Sequence, residues 1–171
     1  PINTRDGIKH LRVPLTDDIS VNMGQVTDET ETITAATNGH IWNGYNISVG
    51  NPHAVVFVED MAQIGELKEP PVVRPRDSYP EGVNVEFVKI TEGNSIQMRV
   101  FERGSGETRS CGTGTCAVAL AATLHTKGKL PATRIINPPG GRLEVSIDGH
   151  SNATLTGPAV LIRDVDISRF L

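Results

Sequence analysis

Cys111 stands where a reactive thiol could act, between the charged stretch ERGSGETRS and the glycine-rich step CGTGT. The apolar run CAVALAATL that follows predicts a helix beginning near Cys111 and ending at about Lys127. The first N–H groups of a helix lack internal partners, and together with the helix dipole they attract anions. We therefore expect the pKa of Cys111 to be lowered and its thiolate to be favoured.

The backbone that follows Cys111 could bind the substrate of such a thiolate. Gly112 and Thr113 would present free N–H groups beside the sulfur, and the glycines let a ligand approach the backbone closely. A carboxylate bound there would place its neighbouring carbon next to the sulfur. This arrangement suits a thiolate that removes a proton beside a carboxylate, and it also suits a nucleophilic cysteine.

The second cysteine, Cys116, lies inside the apolar run. On a helix the two cysteine side chains would point about 140° apart, so no disulfide between them is expected. Cys116 is predicted to be a small buried hydrophobic residue. Two unpaired thiols indicate a reducing, cytoplasmic location.

Polar residues stand at the ends of three predicted strands. Asn51 and His53 precede the apolar run in GNPHAVVF, Asn84 opens the run in GVNVEF, and Glu102 and Arg103 end RVFERG. Each residue type also has an ordinary structural use, as a turn asparagine, a buried histidine or an exposed charged turn. Spacing alone therefore leaves their roles open.

The sequence shows no pattern typical of binding to a metal, a nucleotide, nucleic acid or a membrane. His10, His40, His125 and His150 have no metal-ligand spacing with the cysteines, so no metal site is expected. CGTGT lacks the Gly-Lys-Ser/Thr of a phosphate-binding loop. The net charge of −4 gives no reason to expect nucleic acid or an anionic membrane as a partner, and no apolar run is long enough to cross a bilayer.

The rest of the chain must hold these residues in place, and it reads mainly as short strands. Strands are predicted in IKHLRVPL, in TITAATNGHIWNGYNISVG with a turn at TNGH, in HAVVFVED, in the hairpin VNVEFVKI–TEGN–SIQMRVFERG, and in several runs after TRIIN. MAQIGELKE predicts a short helix, and PPVVRPRDSYPEG predicts a loop.

These elements predict an α+β fold. The chain has 171 residues, of which 37% are hydrophobic and 21% charged, values typical of one globular domain. The helix after Cys111 is apolar on all faces, which is typical of a buried helix. We therefore expect a single domain, 1–171, with a curved, mostly antiparallel, barrel-like sheet around one central helix.

The segments GNPH, GVNVE, ERGSGET and SCGTGTCA, in this order, resemble the diaminopimelate epimerase family. The resemblance extends from TRDGIKHLRV to LTGPAVLI, and the signature ERGxGETxxCGTG is long and specific. It implies interconversion of LL- and meso-diaminopimelate, a step of lysine and cell-wall precursor synthesis, without pyridoxal phosphate, metal or other cofactor. In this family two cysteines act on opposite faces of the α-carbon, one as thiolate base and one as thiol acid.

The resemblance also implies roles for individual residues. Cys111 matches the family's second catalytic cysteine, and Gly112 and Thr113 would donate N–H bonds to the reacting carboxylate. By the same match, other residues would bind the distal amino-acid end of the substrate or adjust the protonation of the thiols. The distal-end residues are Asn51, Asn84 and Arg103, and the thiol-adjusting residues are His53 and Glu102, the latter also a candidate contact for the distal ammonium.

The family's first catalytic cysteine lies in a motif like CGNGxR, which this sequence lacks. The resemblance therefore implies that the chain is the C-terminal half of a two-half epimerase and is inactive alone. Its partner would be the N-terminal half, bordered by residues 1–12 and 160–171, and pairing with a second copy as a homodimer is a further expectation to test.

Two other functions stay open from the sequence. Related two-half isomerases act on proline, hydroxyproline or phenazine precursors. A proline-type substrate has no second amino-acid head for Asn51, Asn84 and Arg103 to bind. A half-fold without catalytic activity could instead serve as a binding module.

Overall fold

The architecture is a long mixed sheet curved around one helix, described for residues 1–4, 7–15, 17–91 and 95–160 in a computed structural model. Within these ranges the α-helix, α1, spans Gly112–His125 and 3₁₀ turns span Met61–Ile64 and Arg76–Ser78. The strands are β1 (Ile2–Thr4), β2 (Gly7–Lys9), β3 (Leu11–Arg12), β4 (Ile19–Gln25), β5 (Thr27–Thr37), β6 (His40–Ser48), β7 (Pro52–Phe57), β8 (Val72–Arg74), β9 (Asn84–Ile90), β10 (Ser95–Glu102), β11 (Gly106–Thr108), β12 (Ala132–Asn137), β13 (Leu143–Ile147) and β14 (Asn152–Gly157).

The main sheet has the strand order β3-β4-β14-β13-β12-β10-β9-β7-β6-β5-β8, with β11 added beside β10. In the described chain, β7 pairs with β9 and β10 with β12 in parallel, while the other pairings are antiparallel. The strands β1 and β2 form a separate antiparallel pair. The sheet is therefore mixed but mostly antiparallel.

A short connection curves this sheet. β4 and β5 lie near opposite ends of the strand order, yet only Val26 separates them in the chain. Val26 is buried, and its N–H donates to the carbonyl of Ser151 at 2.9 Å. Because the two ends of the order are joined in this way, the sheet wraps around α1, which packs on β12, β13 and β14 and also on β6, β7 and β9.

The burial of nearly all of α1 is consistent with its position inside the curved sheet. Every residue from 114 to 123 is buried. The two threonines in this run satisfy their hydroxyls within the helix, since Thr115 donates to the carbonyl of Cys111 at 2.7 Å and Thr123 to that of Ala119 at 2.9 Å. The helix can therefore be surrounded by sheet without leaving these hydroxyls unpaired.

The alternation of β9 divides the apolar interior into two clusters. Val88 belongs to the core around α1, whereas Val85 and Phe87 belong to a second core that includes Ile33 and Ile64. Side chains two apart on a strand share a face. The α1 face of β9 therefore also carries Asn84 and Glu86.

The predicted fold class is confirmed, and the differences concern single elements. α1 begins immediately after Cys111, as expected, but ends two residues before Lys127. Strand β4 was not predicted, and β8 lies inside PPVVRPRDSYPEG, where a loop was expected, because pairing with β5 overrides the prolines. MAQIGELKE forms only the 3₁₀ turn, capped by Asp60. Residues 161–171, expected to border the other half, lie outside the described residues.

In the part of the chain that the structure describes, no helix has the length and apolar character needed to span a membrane.

Candidate functional site

Cys111 is the N-cap residue of α1, with extended backbone angles of φ −131° and ψ 118°. Its Sγ accepts a hydrogen bond from the N–H of Gly114 at 3.4 Å and lies 3.5 Å from Oγ1 of Thr113. The residue is 7% exposed. The sulfur therefore sits at the opening turn of a buried helix, as its sequence position predicts.

The expectation of a lowered Cys111 pKa is wrong for this structure. Burial is the largest influence and raises the pKa from 9.0 to about 11, with smaller raising effects from the carboxylates of Glu86 and Glu102. The hydrogen bonds from Thr113 and Gly114 act in the opposite direction. Desolvation of the thiolate outweighs the donors of the helix terminus here, so the resting residue is a thiol.

A line of hydrogen bonds leads from Cys111 into the sheet. Asn51 donates from Nδ2 to Oγ1 of Thr113 at 3.3 Å, and its Oδ1 lies 3.1 Å from Nε2 of His53. The Nδ1 of His53 lies 2.7 Å from Oε1 of Glu86. Four predicted site residues are therefore connected in space, although Asn51 and His53 are about 60 positions from the cysteine in the chain.

Glu86, which was not among the predicted site residues, is fully buried beside the equally buried His53. The available signal was the glutamate at an inward position of VNVEFV, where alternation calls for an apolar side chain. Gly114 shows how close this carboxyl lies to the helix. A Cβ placed on Gly114 would be 2.5 Å from Oε1 of Glu86 and 3.3 Å from Sγ of Cys111.

A second group of predicted residues surrounds Asn84, the first residue of β9. Its Nδ2 donates to the carbonyl of Pro52 at 3.2 Å, and its Oδ1 accepts from the N–H of Arg103 at 3.1 Å. The register of β7 and β9 places Asn84 opposite His53. Asn84 therefore links the strand end that carries Arg103 to the segment that carries Asn51 and His53.

The charged pair at the end of β10 points in two directions. Glu102 accepts a hydrogen bond from the hydroxyl of Thr108, and its charge contributes to the raised pKa of Cys111. The side chain of Arg103 is 38% exposed, and its Nη1 lies 3.7 Å from Oε2 of Glu81. It lines a groove of about 500 Å³ that also includes Tyr79 and Phe101 but not Cys111. The structure brings Glu102, but not the Arg103 guanidinium, toward the sulfur.

Gly112 begins α1 and packs near Leu155, with room for an added Cβ at 3.4 Å. Cys116 is fully buried in the core around α1 and unpaired. Among the described ranges, no three His, Cys, Asp or Glu side chains stand close enough to hold a metal ion.

Comparison with known proteins gives a family match and close relatives. The family model described as Diaminopimelate epimerase matches residues 45–162. Relatives named diaminopimelate epimerase include those of Streptomyces coelicolor, 40% identical over 95% of this chain and 58% of the relative, and Parabacteroides distasonis, 36% identical over 93% and 60%. The relative of Corynebacterium glutamicum is 40% identical over 94% of this chain and 59% of its own length. The chain thus spans about three fifths of these relatives.

Solved structures share the fold at low identity. A hydroxyproline epimerase from Agrobacterium vitis, with bound trans-4-hydroxy-L-proline, aligns with a TM-score of 0.64 at 18% identity over 91% of this chain and 55% of that chain. A probable proline racemase from Agrobacterium radiobacter gives 0.62 at 18% over 95% and 58%. These likenesses support the architecture of a sheet wrapped around one helix.

Proposed function

This chain belongs to the diaminopimelate epimerase family, and we propose that it is part of an enzyme that interconverts LL- and meso-diaminopimelate without a cofactor. The observation that carries the proposal is the sulfur of Cys111 at the opening turn of α1, within the family's signature. Inversion at the α-carbon requires a proton to leave one face and another to arrive at the opposite face. Cys111 would serve one face as acid or base.

The first backbone N–H groups of α1 could bind the reacting carboxylate of the substrate. Gly114 N–H already bonds the sulfur and Thr115 N–H bonds the carbonyl of Cys111, whereas no described residue accepts from the N–H of Gly112 or Thr113. A substrate carboxylate on these two amides would be stabilised by the helix dipole. Its α-carbon would then lie beside the sulfur.

The raised pKa of Cys111 fits the acid role in the resting protein. A thiol whose pKa is about 11 keeps its proton at neutral pH and can deliver it to a carbanion formed by a base on the other face. In the reverse direction the same sulfur must act as base. A substrate ammonium bound beside it would lower its pKa, because a nearby positive charge favours the thiolate.

The distal end of the substrate would be bound by Asn51, Asn84 and Arg103. Hydrogen bonds already join the segments that carry these residues, and the Arg103 guanidinium is exposed enough to grip a carboxylate. His53 and Glu102 would adjust the protonation of the thiols, since His53 is bonded to Asn51 and Glu102 acts on the pKa of Cys111.

The second thiol would come from an N-terminal half. We propose that residues 1–171 form one domain of a two-half enzyme, that 1–12 and 160–171 border the other half, and that the chain alone is inactive. A homodimer is a further assembly that we propose to test. The two unpaired thiols agree with a reducing, cytoplasmic location.

The test measures conversion of LL- to meso-diaminopimelate and deuterium incorporation at the α-carbon. The 171-residue chain is assayed alone and mixed with a relative's first-half polypeptide that contains the CGNGxR-like cysteine. We expect no turnover alone and turnover in the mixture. Enzyme-like conversion by the chain alone would contradict the two-thiol mechanism.

Ligand protection separates the remaining alternatives. We expect diaminopimelate, and not proline or hydroxyproline, to slow alkylation of Cys111 in the mixture of both halves. Protection by proline instead would indicate a proline-type isomerase. No protection by either ligand would favour a binding module.

A further inference from the structure

Glu86 carries a buried carboxyl group that packing in an apolar core does not explain. It is fully buried in β9 between Val85 and Phe87, and in the described structure its Oε2 has no hydrogen-bond partner. Burying a carboxyl that is only partly hydrogen-bonded costs free energy, and an apolar side chain would avoid that cost. The position therefore calls for an explanation beyond packing.

The sheet aims this carboxyl at one atom. The parallel pairing of β7 with β9 sets His53 opposite Asn84 and Val55 opposite Glu86, so that His53 and Glu86 share the face toward α1. Oε1 of Glu86 lies 2.7 Å from Nδ1 of His53, and both side chains are fully buried. The imidazole ring is thus anchored at one nitrogen.

The hydrogen atoms in this line of contacts all point the same way. Asn51 uses Nδ2 to donate to Thr113, so its Oδ1 can only accept, and Nε2 of His53 must carry the donated hydrogen. A second hydrogen lies between Nδ1 of His53 and Oε1 of Glu86, because two lone pairs would repel each other at 2.7 Å. The Thr113 hydroxyl, which accepts from Asn51, is then free to donate to Sγ of Cys111 at 3.5 Å. Donors therefore run from the histidine to the sulfur.

The opening turn of α1 packs directly on this carboxyl. Gly114 leaves room for Oε1 of Glu86, and the N–H of Gly114 donates to Sγ of Cys111. A carboxyl near a helix N-terminus is favoured by the helix dipole. The fold thus holds Glu86 near the sulfur but bonded to His53.

We propose that Glu86 is a positioning residue that fixes the His53 ring with its Nε2 hydrogen toward Asn51, and so directs the line of donors that ends on the sulfur of Cys111. The inference rests on the proposed acid/base role of Cys111. The carboxyl does not contact substrate in this proposal; it acts through His53, Asn51 and Thr113.

A double-mutant cycle tests whether Glu86 acts through Asn51. The rate of iodoacetamide alkylation of Cys111 is measured in the 171-residue chain carrying Cys116→Ala, so that one thiol reports. Glu86→Gln is introduced with and without Asn51→Ala. We expect Glu86→Gln to change the rate roughly fivefold when Asn51 is present and less than about twofold when it is absent.

A ratio of about 2.5 or more between the two effects supports the proposal, and a smaller ratio overturns it, because a direct charge or packing effect acts equally in both backgrounds. Val88→Ala is the matched control, since Val88 lies on the same face of β9 in the core around α1. Val88→Ala should lower the free energy of unfolding. It should change the alkylation rate of Cys111 by no more than about twofold, whether Asn51 is present or replaced. If Glu86→Gln does not fold, Glu86→Asp replaces it in the cycle.

One measurement needs no variant. In the ¹⁵N-histidine spectrum of the unmodified chain at neutral pH, His53 should show a hydrogen on Nε2, and its absence overturns the proposal. Neither readout depends on epimerase activity. If the two-half assay shows no activity but the double-mutant cycle gives the expected ratio, the result counts against the proposed function and not against the role of Glu86.

Discussion

The sulfur of Cys111 is subject to two opposing influences. Donors from Thr113 and Gly114 favour the thiolate, while burial and the carboxylates of Glu86 and Glu102 favour the thiol. Burial is the larger influence, so the donors of a helix terminus do not by themselves make a cysteine acidic. At the scale of the residue, solvent access decides the protonation state.

The raised pKa predicts a loss of stability at alkaline pH. Between its ordinary value of 9.0 and the folded value of about 11, the folded thiol keeps a proton that the unfolded chain releases. The free energy of unfolding therefore falls as pH rises through this window. From about pH 8 to about pH 10, the unmodified chain should lose roughly 1 kcal/mol more of its unfolding free energy than Cys111→Ala does, as measured by urea unfolding.

Equal losses in both proteins would contradict the raised pKa of Cys111. Burial, with a smaller effect of Cys111, raises the pKa of Cys116 to about 12, so folded Cys116 keeps its proton at both pH values and contributes nearly equal losses in the two proteins.

The two cysteines should respond differently to removal. Cys111→Ala should abolish conversion of LL- to meso-diaminopimelate in the two-half assay, because inversion needs an acid/base group on each face of the α-carbon and one face loses its group. Cys116→Ala removes a fully buried sulfur and should cost about 1 kcal/mol of unfolding free energy while exchange persists. Conversion of LL- to meso-diaminopimelate, deuterium incorporation and urea unfolding are measured for both variants, and conversion that survives Cys111→Ala would exclude the proposed mechanism.

At the scale of the element, the side chains that contact the first turn of α1 restrict which residues can stand there. Gly112 faces Leu155 across ordinary contact distance, whereas Gly114 faces the Glu86 carboxyl and the Cys111 sulfur with no room for a methyl group. The glycines of CGTGT thus serve two different purposes. One leaves amides accessible, and the other lets the helix approach β9.

Substitution by alanine should separate these two glycines. Gly114→Ala would place Cβ 2.5 Å from Oε1 of Glu86, a buried group held by His53, and should cost about 1–3 kcal/mol of unfolding free energy. Gly112→Ala is the matched control and should be neutral or stabilising by up to about 1 kcal/mol, because alanine favours helix. Thermal or urea unfolding of the two variants makes the comparison, and equal stability would refute the close approach.

At the scale of the whole molecule, large apolar side chains are exposed along the first 15 residues. Ile8 and Val13 are each 65% exposed and Leu15 is fully exposed. Isolated exposed apolar residues are common, but a run of them on one segment is typical of an interaction surface. This agrees with the proposal that the start of the chain borders the other half.

Polar substitutions on this segment should affect assembly and not folding. Ile8→Ser with Leu15→Ser should change the unfolding free energy of the chain by less than about 0.5 kcal/mol, because neither side chain is buried. The same pair should weaken turnover in the two-half assay. Ile41→Ser, at an equally exposed apolar position at the start of β6, is the control and should leave turnover unchanged. Undiminished turnover with the double variant would place the contact elsewhere.

Local patterns were sufficient for much of this protein. The helix and its start at Cys111 follow from an apolar run behind a glycine-rich step, and the strand ends that carry Asn51, Asn84 and Glu102 follow from short alternating runs. These features depend on neighbours in the chain, so the sequence alone could predict them. The family signature added the residue roles, which stay predictions.

Tertiary structure decided what depends on distant partners. The role of Glu86 became visible only when the parallel pairing of β7 and β9 brought it to His53, and β8 formed only because β5 lies beside it. The direction of the Cys111 pKa shift was also beyond the sequence, since desolvation is set by the sheet that encloses α1 and not by the residues adjoining the cysteine. Short-range patterns determine elements, whereas burial and cross-strand contacts determine the chemistry of the site.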